Sequence, residues 1–433
     1  MMSFFDLPRG FVLTCMFVLG CCFGSFLNVC IHRFPSKLRL RDQLKALNSH
    51  RSGCPRCAAS IRWFDNIPLL GWLMLRGRCR SCRKPISFRY PFVECLTGIL
   101  FVVMYWFEMP PERFRSLAGT GLFVSGGPQE ITGLWRPDVW LHVRYAVHMC
   151  MICGLIVATF IDLELRIIPD GCTIPPMVFA ILAAAVIGQT HIVPLWFQDV
   201  STVRTVRSVL PEVVQPFMFE WDAADFSRHH PHLHGILVSL AGLIVGGGSV
   251  WAVRILGFWV LRQEAMGFGD VVLLGMVGSV IGWQPVLIVF FVAPMFAVFA
   301  AMTSWLARRD REIPYGPWLS IATLCVLFGW RWFWRIGKPV FDLGPLLLIV
   351  ALVMGFSLIA SLMLVQLVKR MLGIPLYPPA EGLEAGWTSA DHLSYYNSER
   401  PDHQIGQWPR SEWPGIRAGQ GLAPGHTWRH GGR

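Results

Sequence analysis

The stretch FVLTCMFVLGCCFGSFLNVCI, residues 11–31, decides the class of fold. It runs for 21 residues without a charge, and a helix needs about 20 mostly apolar residues to cross a bilayer. The whole 433-residue chain is 54% hydrophobic and 15% charged, whereas soluble domains are roughly 25% charged. The sequence therefore indicates a membrane protein. It excludes a small disulfide scaffold, a collagen-like fibre and a wholly disordered chain.

Apolar runs of this kind recur along the chain, and their number predicts the architecture. Nine can be placed, and the short run at 271–284 makes the count eight to nine. The sequence therefore predicts an all-α polytopic integral membrane protein with about 8–9 transmembrane helices. The runs lie at 11–31, 92–108, 145–163, 172–193, 235–261, 271–284, 285–306, 315–333 and 343–369.

The segment 32–91, called the basic loop below, carries the positive charge of the chain. It holds fourteen Lys or Arg against two acids, Asp42 and Asp65, in a chain of formal net charge +11. Basic residues near spans mark the cytoplasmic side and attract anionic lipid head groups. We therefore expect residues 1–31 to form an external N-terminus and first span, and the basic loop to be cytoplasmic. Membrane lipids account for the charge without nucleic acid, since no recognition module accompanies it.

The remaining organisation follows from threading the chain through the membrane. Residues 92–333 are expected to form a transmembrane core with external loops at 109–144 and 194–234, and 334–374 add a further transmembrane helix. Residues 375–433 are rich in Gly, Pro and polar residues, which predicts a disordered cytoplasmic tail. A histidine cluster in the second external loop could bind a metal, but chance placement in a polar loop is favoured. Its members are His229, His230, His232 and His234.

Four of the thirteen cysteines form two C-x2-C pairs in the basic loop, with 21 residues between the pairs. Two such turns can close a tetrahedral four-sulfur site, which suits structural Zn²⁺, and basic neighbours favour the thiolates. Four ligands leave no open position, so the metal would fold the loop rather than catalyse. This predicts a small zinc-ribbon-like cytoplasmic domain, and four unmetallated thiols are the alternative. The cysteines are Cys54, Cys57, Cys79 and Cys82.

Two aspartates lie at the ends of apolar runs. Asp162 follows Leu155–Ile161, and Asp270 closes Gly267-Phe268-Gly269-Asp270 just before another run. Two predicted crossings separate them, so both are expected at the cytoplasmic boundary. Neighbouring carboxylates can share a proton, so that one acts as a base on water and the other as an acid towards a carbonyl. The pair therefore predicts peptide hydrolysis, with two solvated helix-end residues as the alternative.

A series of short motifs occurs in a particular order along residues 11–330. They are Gly24-Ser25-Phe26-Leu27-Asn28-Val29, Cys54-Pro55-Arg56-Cys57, Asp65-Asn66-Ile67-Pro68-Leu69-Leu70, Arg76-Gly77-Arg78-Cys79, Arg89-Tyr90-Pro91-Phe92-Val93-Glu94, Ile161-Asp162-Leu163, Ile168-Pro169-Asp170, Glu264-Ala265-Met266-Gly267-Phe268-Gly269-Asp270 and Pro314-Tyr315-Gly316-Pro317. Together they resemble the bacterial prepilin peptidases.

The resemblance implies an inner-membrane aspartic peptidase that removes the basic leader from type IV prepilins or type II secretion pseudopilins. It further implies N-methylation of the new N-terminus with S-adenosylmethionine, by the cytoplasmic loop domain. The catalytic pair carries over to Asp162 and Asp270. The chain departs from the family at Val272, where a lysine is typical.

Several alternatives stay open at the level of sequence. An inactive relative that acts as a membrane scaffold or binding module would keep the same motifs, and so would a methyltransferase that has lost cleavage. Three nearby acids, Glu164, Asp170 and Glu264, are alternatives to the assigned pair. Of these, Asp170 is the strongest, because it lies in the short loop that follows Asp162.

Overall fold

The computed structural model describes residues 8–37, 39–48, 53, 54, 57, 59–109, 137–188, 190–196, 198–213, 215–217, 223–261, 266–306 and 314–372. Within these ranges the regular secondary structure is helical, apart from two isolated β-bridges that join Gly53 to Ser60 and Arg78 to Pro85. The all-α class predicted from the apolar runs is confirmed for this part of the chain.

Seven of the helices in the described ranges are long and apolar enough to cross a membrane, and two shorter apolar helices, α10 and α12, accompany them. The protein is therefore a multi-pass membrane protein, as predicted. The helices are α1 (Arg9–Arg33), α2 (Leu40–Leu47), α3 (Leu70–Met74), α4 (Arg89–Glu108), α5 (Pro137–Leu165), α6 (Asp170–Ile187), α7 (Val200–Val209), α8 (Ala223–His229), α9 (Pro231–Leu261), α10 (Phe268–Ile281), α11 (Trp283–Leu306), α12 (Gly316–Phe328), α13 (Trp330–Phe341) and α14 (Leu347–Met371).

The two expected external loops hold more helix than the sequence indicated. Helix α5 already begins at Pro137, within the expected loop 109–144, of which residues 110–136 lie outside the described ranges. The expected loop 194–234 contains α7 and α8, and α9 begins before its end. The expected tail at 375–433 also lies outside the described ranges.

Helix α13 differs from the expected span 315–333. The apolar helix α12 ends at Phe328, and Gly329 separates it from α13. One side of α13 is buried through Trp330 and Trp334, whereas Trp332 is exposed. The segment is thus a separate amphipathic helix between α12 and α14, and an apolar run alone cannot distinguish it from a continued span.

Close helix contacts at glycines bring α9 against α10 and α1 against α4. A Cβ atom on Gly242 would lie 1.9 Å from the carbonyl oxygen of Gly278, and one on Gly24 would lie 2.6 Å from the Cα of Glu94. Membrane helices associate through small residues that allow such backbone approach. Helix α10 is buried from Leu273 to Ile281 as a result, so its first turn has a fixed position in the bundle.

The basic loop is tied to the transmembrane core through α2. The guanidinium of Arg33 donates to the carbonyl of Ala46 at 2.8 Å, near the end of α2. The buried Gln43 accepts a hydrogen bond from the backbone N–H of Gly171 at 2.6 Å and donates to the carbonyl of Lys37. Since Gly171 lies in the first turn of α6, the loop is held beside the segment that joins α5 to α6.

Candidate active site

Asp162 lies in the last turn of α5 and is only 6% exposed. Its Oδ2 atom accepts a hydrogen bond from the backbone N–H of Gly316 at 3.0 Å. Gly316 is the first residue of α12, and free N–H groups at a helix start favour a negative charge. The side chain of Arg166 is also near enough for its charge to act on this carboxylate. The Gly316 N–H and Arg166 thus stabilise negative charge on a carboxylate whose burial by itself disfavours that charge.

Asp270 is the third residue of α10 and is 8% exposed. The helix starts of α10 and α12 both pack on Ile168, because a Cβ on Gly269 would lie 2.9 Å from the Ile168 Cβ and one on Gly316 would lie 3.3 Å from its Cδ1. This shared contact brings Asp270 towards Asp162, close enough for the two charges to interact. The structure thus brings together the two aspartates that the sequence singled out.

The alternative acids differ from this pair in their surroundings. The Glu164 side chain is 53% exposed and forms an ion pair with Arg89. Asp170 is half-buried in the first turn of α6, and the carboxylate whose charge acts on Asp270 is that of Asp162. Glu264 lies outside the described residues. The geometry therefore favours Asp162 over Asp170 as the partner of Asp270.

Two residues of the site had no role assigned from the sequence. Gly316 supplies the N–H donor to Asp162, and a Cβ atom there would lie 2.7 Å from the Oδ2 atom. Tyr315, the residue before Gly316, lies close to the Asp270 carboxylate. The Pro314-Tyr315-Gly316-Pro317 motif was their only signal in the sequence. Val272 is half-buried on α10, two residues after Asp270.

The four loop cysteines also meet at one point. Their sulfur atoms all lie within 4.8 Å of one another, with Cys54 to Cys82 at 3.9 Å and Cys57 to Cys79 at 4.0 Å. A tetrahedral Zn²⁺ at about 2.3 Å from each sulfur would place neighbouring sulfurs about 3.8 Å apart. This cluster could therefore hold zinc, and it fits the predicted zinc-ribbon-like domain.

Backbone hydrogen bonds shape each C-x2-C turn. The N–H of Cys54 donates to the carbonyl of Ala59, and that of Cys79 donates to Lys84, both at 2.9 Å. The backbone N–H groups of Cys82 and Ser81 lower the pKa of the Cys79 thiol to about 7. A lowered pKa favours the thiolate that a metal binds.

The second cysteine turn is fixed to the rest of the basic loop by an ion pair. The Arg80 guanidinium donates to both carboxylate oxygens of Asp65, at 2.6 and 2.8 Å, and holds the pKa of Asp65 below its usual value. Bidentate pairs of this kind fix orientation as well as distance. The 3₁₀ turn Trp63–Asn66 and the cysteine cluster are therefore held together.

The predicted histidine cluster does not converge on one point. His234 is buried, and its Nε2 atom accepts a hydrogen bond from the backbone N–H of Leu195 at 3.0 Å. His232 instead contacts the carbonyl of Ala185, and His229 that of Asp225. Among the described residues, the four cysteines are the metal-binding group that the geometry supports.

The fold and the site together define the class of protein. It is a multi-pass helical membrane protein with two buried, neighbouring aspartates and a four-cysteine cluster. Residues 18–107 match the family described as the bacterial peptidase A24 N-terminal domain. The chain is 30% identical over 321 residues to the type 4 prepilin-like proteins leader peptide-processing enzyme of Escherichia coli O78:H11, covering 71% of this chain and 91% of that relative. The chain belongs to the family of bacterial prepilin leader peptidases/N-methyltransferases.

Other relatives carry the family name itself. The prepilin leader peptidase/N-methyltransferase of Aeromonas hydrophila is 29% identical over 342 residues, which cover 73% of this chain and 92% of the relative. That of Myxococcus xanthus is 31% identical over 280 residues, covering 65% of this chain and 59% of the relative. No solved structure matches the chain.

Proposed function

We propose that the protein is a membrane aspartic endopeptidase that removes the basic leader from type IV prepilins or type II secretion pseudopilins. The observation that carries the proposal is the closeness of two buried carboxylates, Asp162 and Asp270, of which Asp162 accepts a hydrogen bond at the helix start of Gly316. The names of the relatives supply the substrate class.

The two aspartates divide the work of hydrolysis. One, ionised, takes a proton from water as the water oxygen bonds to the peptide carbonyl carbon. The other, protonated, donates to the carbonyl oxygen, and the C–N bond then breaks as a proton passes to the leaving nitrogen. The N–H of Gly316 stabilises negative charge on Asp162. Both carboxylates are needed, because neither can be acid and base at once.

The active site faces the cytoplasm from the inner membrane. Asp162 lies two residues before Glu164, which forms an ion pair with Arg89, and Arg89 is where the basic loop enters α4. Positive charge marks the cytoplasmic side of a span. A prepilin anchored in the same membrane would therefore present its leader on the side of the basic loop.

The basic loop holds a structural Zn²⁺ through Cys54, Cys57, Cys79 and Cys82, and the bound metal links the two cysteine turns. With all four thiolates engaged, none of them carries a methyl group during transfer. N-methylation with S-adenosylmethionine is assigned to the same cytoplasmic region, on the strength of the relatives' names.

Purified full-length protein, a leader-bearing pilin and S-adenosylmethionine test these assignments by product mass. Asp162→Asn and Asp270→Asn should each lower cleavage by about 10²–10⁴-fold, the usual contribution of a general acid or base. Glu164→Gln, on the same helix end as Asp162, is the matched control and should cleave normally.

Other product masses would select other functions. Methylation of a pre-cleaved pilin without leader removal would indicate a methyltransferase alone. Neither change in mass would indicate an inactive scaffold. If Asp162→Asn cleaves normally and Asp170→Asn does not, the first catalytic aspartate is Asp170 instead of Asp162, and the protein is still an aspartic peptidase.

A further inference from the structure

Part of the basic loop turns back along α4 towards the membrane. The backbone N–H of Leu69 donates to Oε2 of Glu94 at 2.8 Å. Glu94 is the sixth residue of α4, so a rise of 1.5 Å per residue places it about 7 Å from the start of that span. Phe92, two residues nearer the start, packs on Phe160 of α5 with ring centroids 6.2 Å apart. Leu69 therefore lies near the level of the α5 turn that carries Phe160 and Asp162, not beyond the ends of the spans.

The helix that follows Leu69 presents an apolar face. Leu70, Leu73 and Met74 of α3 are 55%, 60% and 67% exposed. Residues at this spacing share one side of a helix. An adjacent side is anchored, because a Cβ on Gly71 would lie 2.2 Å from the carbonyl oxygen of Asp65. The direction of the apolar face is therefore fixed by packing.

Phe88, the residue before α4, links α3 to the exposed surface of that span. The Phe88 ring contacts Trp72 at 5.9 Å and Phe92 at 6.3 Å between centroids. Phe88 and Phe92 are both exposed among the described residues. Since Phe92 lies on a helix that crosses the membrane, the same medium that covers α4 reaches α3.

The charge around the face has the sign that anionic lipid attracts. Arg62, Arg76 and Arg78 are exposed beside α3 and the 3₁₀ turn before it, within a loop of fourteen basic and two acidic residues. Trp63, in that turn, is 81% exposed. Tryptophan and arginine side chains concentrate at the head-group level of membranes.

We propose that Trp63, Leu70, Leu73, Met74 and Phe88 form a membrane-docking surface that inserts into the head-group region of the leaflet next to the basic loop and binds anionic phospholipid. Docking of this surface holds the cysteine cluster beside the membrane, because Asp65 and Arg80 tie the cluster to the turn at Trp63. The proposal is independent of peptidase activity.

Photo-crosslinking in lipid nanodiscs tests the proposal on the full-length chain. Benzoylphenylalanine replaces Leu73, and in matched chains it replaces Ile99, exposed on α4, or Lys84, exposed on the second cysteine turn. In discs of phosphatidylcholine with phosphatidylglycerol, position 73 should give lipid adducts like position 99, and position 84 should give few. Zinc content checks that each labelled chain is folded.

A change of lipid composition distinguishes binding of anionic lipid from mere exposure of apolar side chains to the bilayer. Replacing phosphatidylglycerol by phosphatidylcholine should lower the adduct at position 73 about fivefold, the factor expected from one arginine near an anionic surface, and leave position 99 unchanged. In the unlabelled chain, hydrogen exchange of the α3 amides should be slower in the anionic discs. Adducts at position 73 as rare as at 84, or adducts with a second copy or an added pilin in place of lipid, would overturn the proposal.

Discussion

At the scale of single residues, the geometry of Asp162 depends on Gly316. The N–H of Gly316 lies 3.0 Å from the Oδ2 atom, and a Cβ atom at this position would lie 2.7 Å from the same oxygen. A contact below 3.0 Å forces one of the two groups to move. A side chain at position 316 would therefore displace the Asp162 carboxylate.

Gly316→Ala should lower the rate of leader removal by about 10²-fold, the size of effect expected when a reacting group is displaced by about 1 Å. The initial rate of cleavage measures the change. Gly355→Ala is the control, since a Cβ at Gly355 of α14 meets no atom within 4 Å in the described part of the chain. Equal rates in the two variants would contradict the role given to Gly316.

The sequence singles out the two aspartates but not the backbone group that hydrogen-bonds to Asp162. Asp162 and Asp270 stand out because carboxylates at the ends of apolar runs are uncommon. Gly316 contributes a backbone N–H, which every residue but proline has, and it lies 154 residues along the chain from Asp162. Only the motif around it marked the position, and no rule of local sequence assigns such a donor to a distant carboxylate.

At the scale of secondary-structure elements, the crossing of α9 and α10 holds the start of α10 in place. A Cβ on Gly278 would lie 2.0 Å from the carbonyl oxygen of Gly242. Even one methyl group at this crossing would push the helices apart. The position of Asp270 therefore depends on a helix contact that lies two turns further along α10.

Gly278→Ala should destabilise the protein by about 1–3 kcal/mol, because it overpacks a close helix contact. Thermal unfolding in detergent measures the loss as a lower Tm. Gly248→Ala, in α9, is the control, since a Cβ there meets no atom within 4 Å among the described residues. A Tm for Gly278→Ala equal to that of the control would show that the crossing tolerates a side chain.

The two cysteine turns form an element of their own, and a metal should fold it. Cys57→Ser should abolish the binding of one zinc per chain, because a structural site needs all four ligands. Metal analysis of the purified protein measures the loss. Cys22→Ser, an exposed cysteine of α1 far from the cluster in sequence, should keep its zinc. Equal zinc in both variants would contradict the assignment.

Helix α13 shows why elements are only partly predictable from sequence. Its residues Trp330, Trp334 and Phe341 are buried, whereas Arg331 and Arg335 are exposed. In the sequence these residues form an aromatic run that directly follows the apolar run of α12. Whether such a run crosses the membrane or forms a separate amphipathic helix depends on Gly329 and on neighbouring helices, which a count of apolar residues omits.

At the scale of the whole molecule, α14 stands apart from the bundle. It packs mainly on α9 and on the 3₁₀ turn before it, and none of its described residues is buried. The thickness of the bilayer dictates the length of each span, which is why the sequence predicted a multi-pass helical protein. The count of 8–9 did not follow in the same way, since seven of the described helices are long enough to cross and two apolar helices are shorter. Contacts between distant glycines and apolar side chains decide which spans pack together. The lengths of the apolar runs do not reveal these contacts.

A chain that ends after Leu343 should therefore keep its zinc and cleave at the rate of the full-length protein. The same pilin assay and metal analysis measure both properties. A chain that ends after residue 313 is the contrasting variant, because it lacks Gly316 and should not cleave. Loss of activity in the longer truncation would show that α14 contributes to the site.

Under the proposed role of Asp162, its hydrogen bond from Gly316 also determines when the protein becomes active during its own synthesis. The ribosome completes the segment with Asp162 long before it reaches Gly316, and α12 must enter the membrane before the donor can meet the carboxylate. A partly translated chain therefore has no complete site. With Asp162 in its proposed role, a pilin precursor is processed only by chains whose translation has passed α12, so each molecule begins to work only after most of its spans are already inserted.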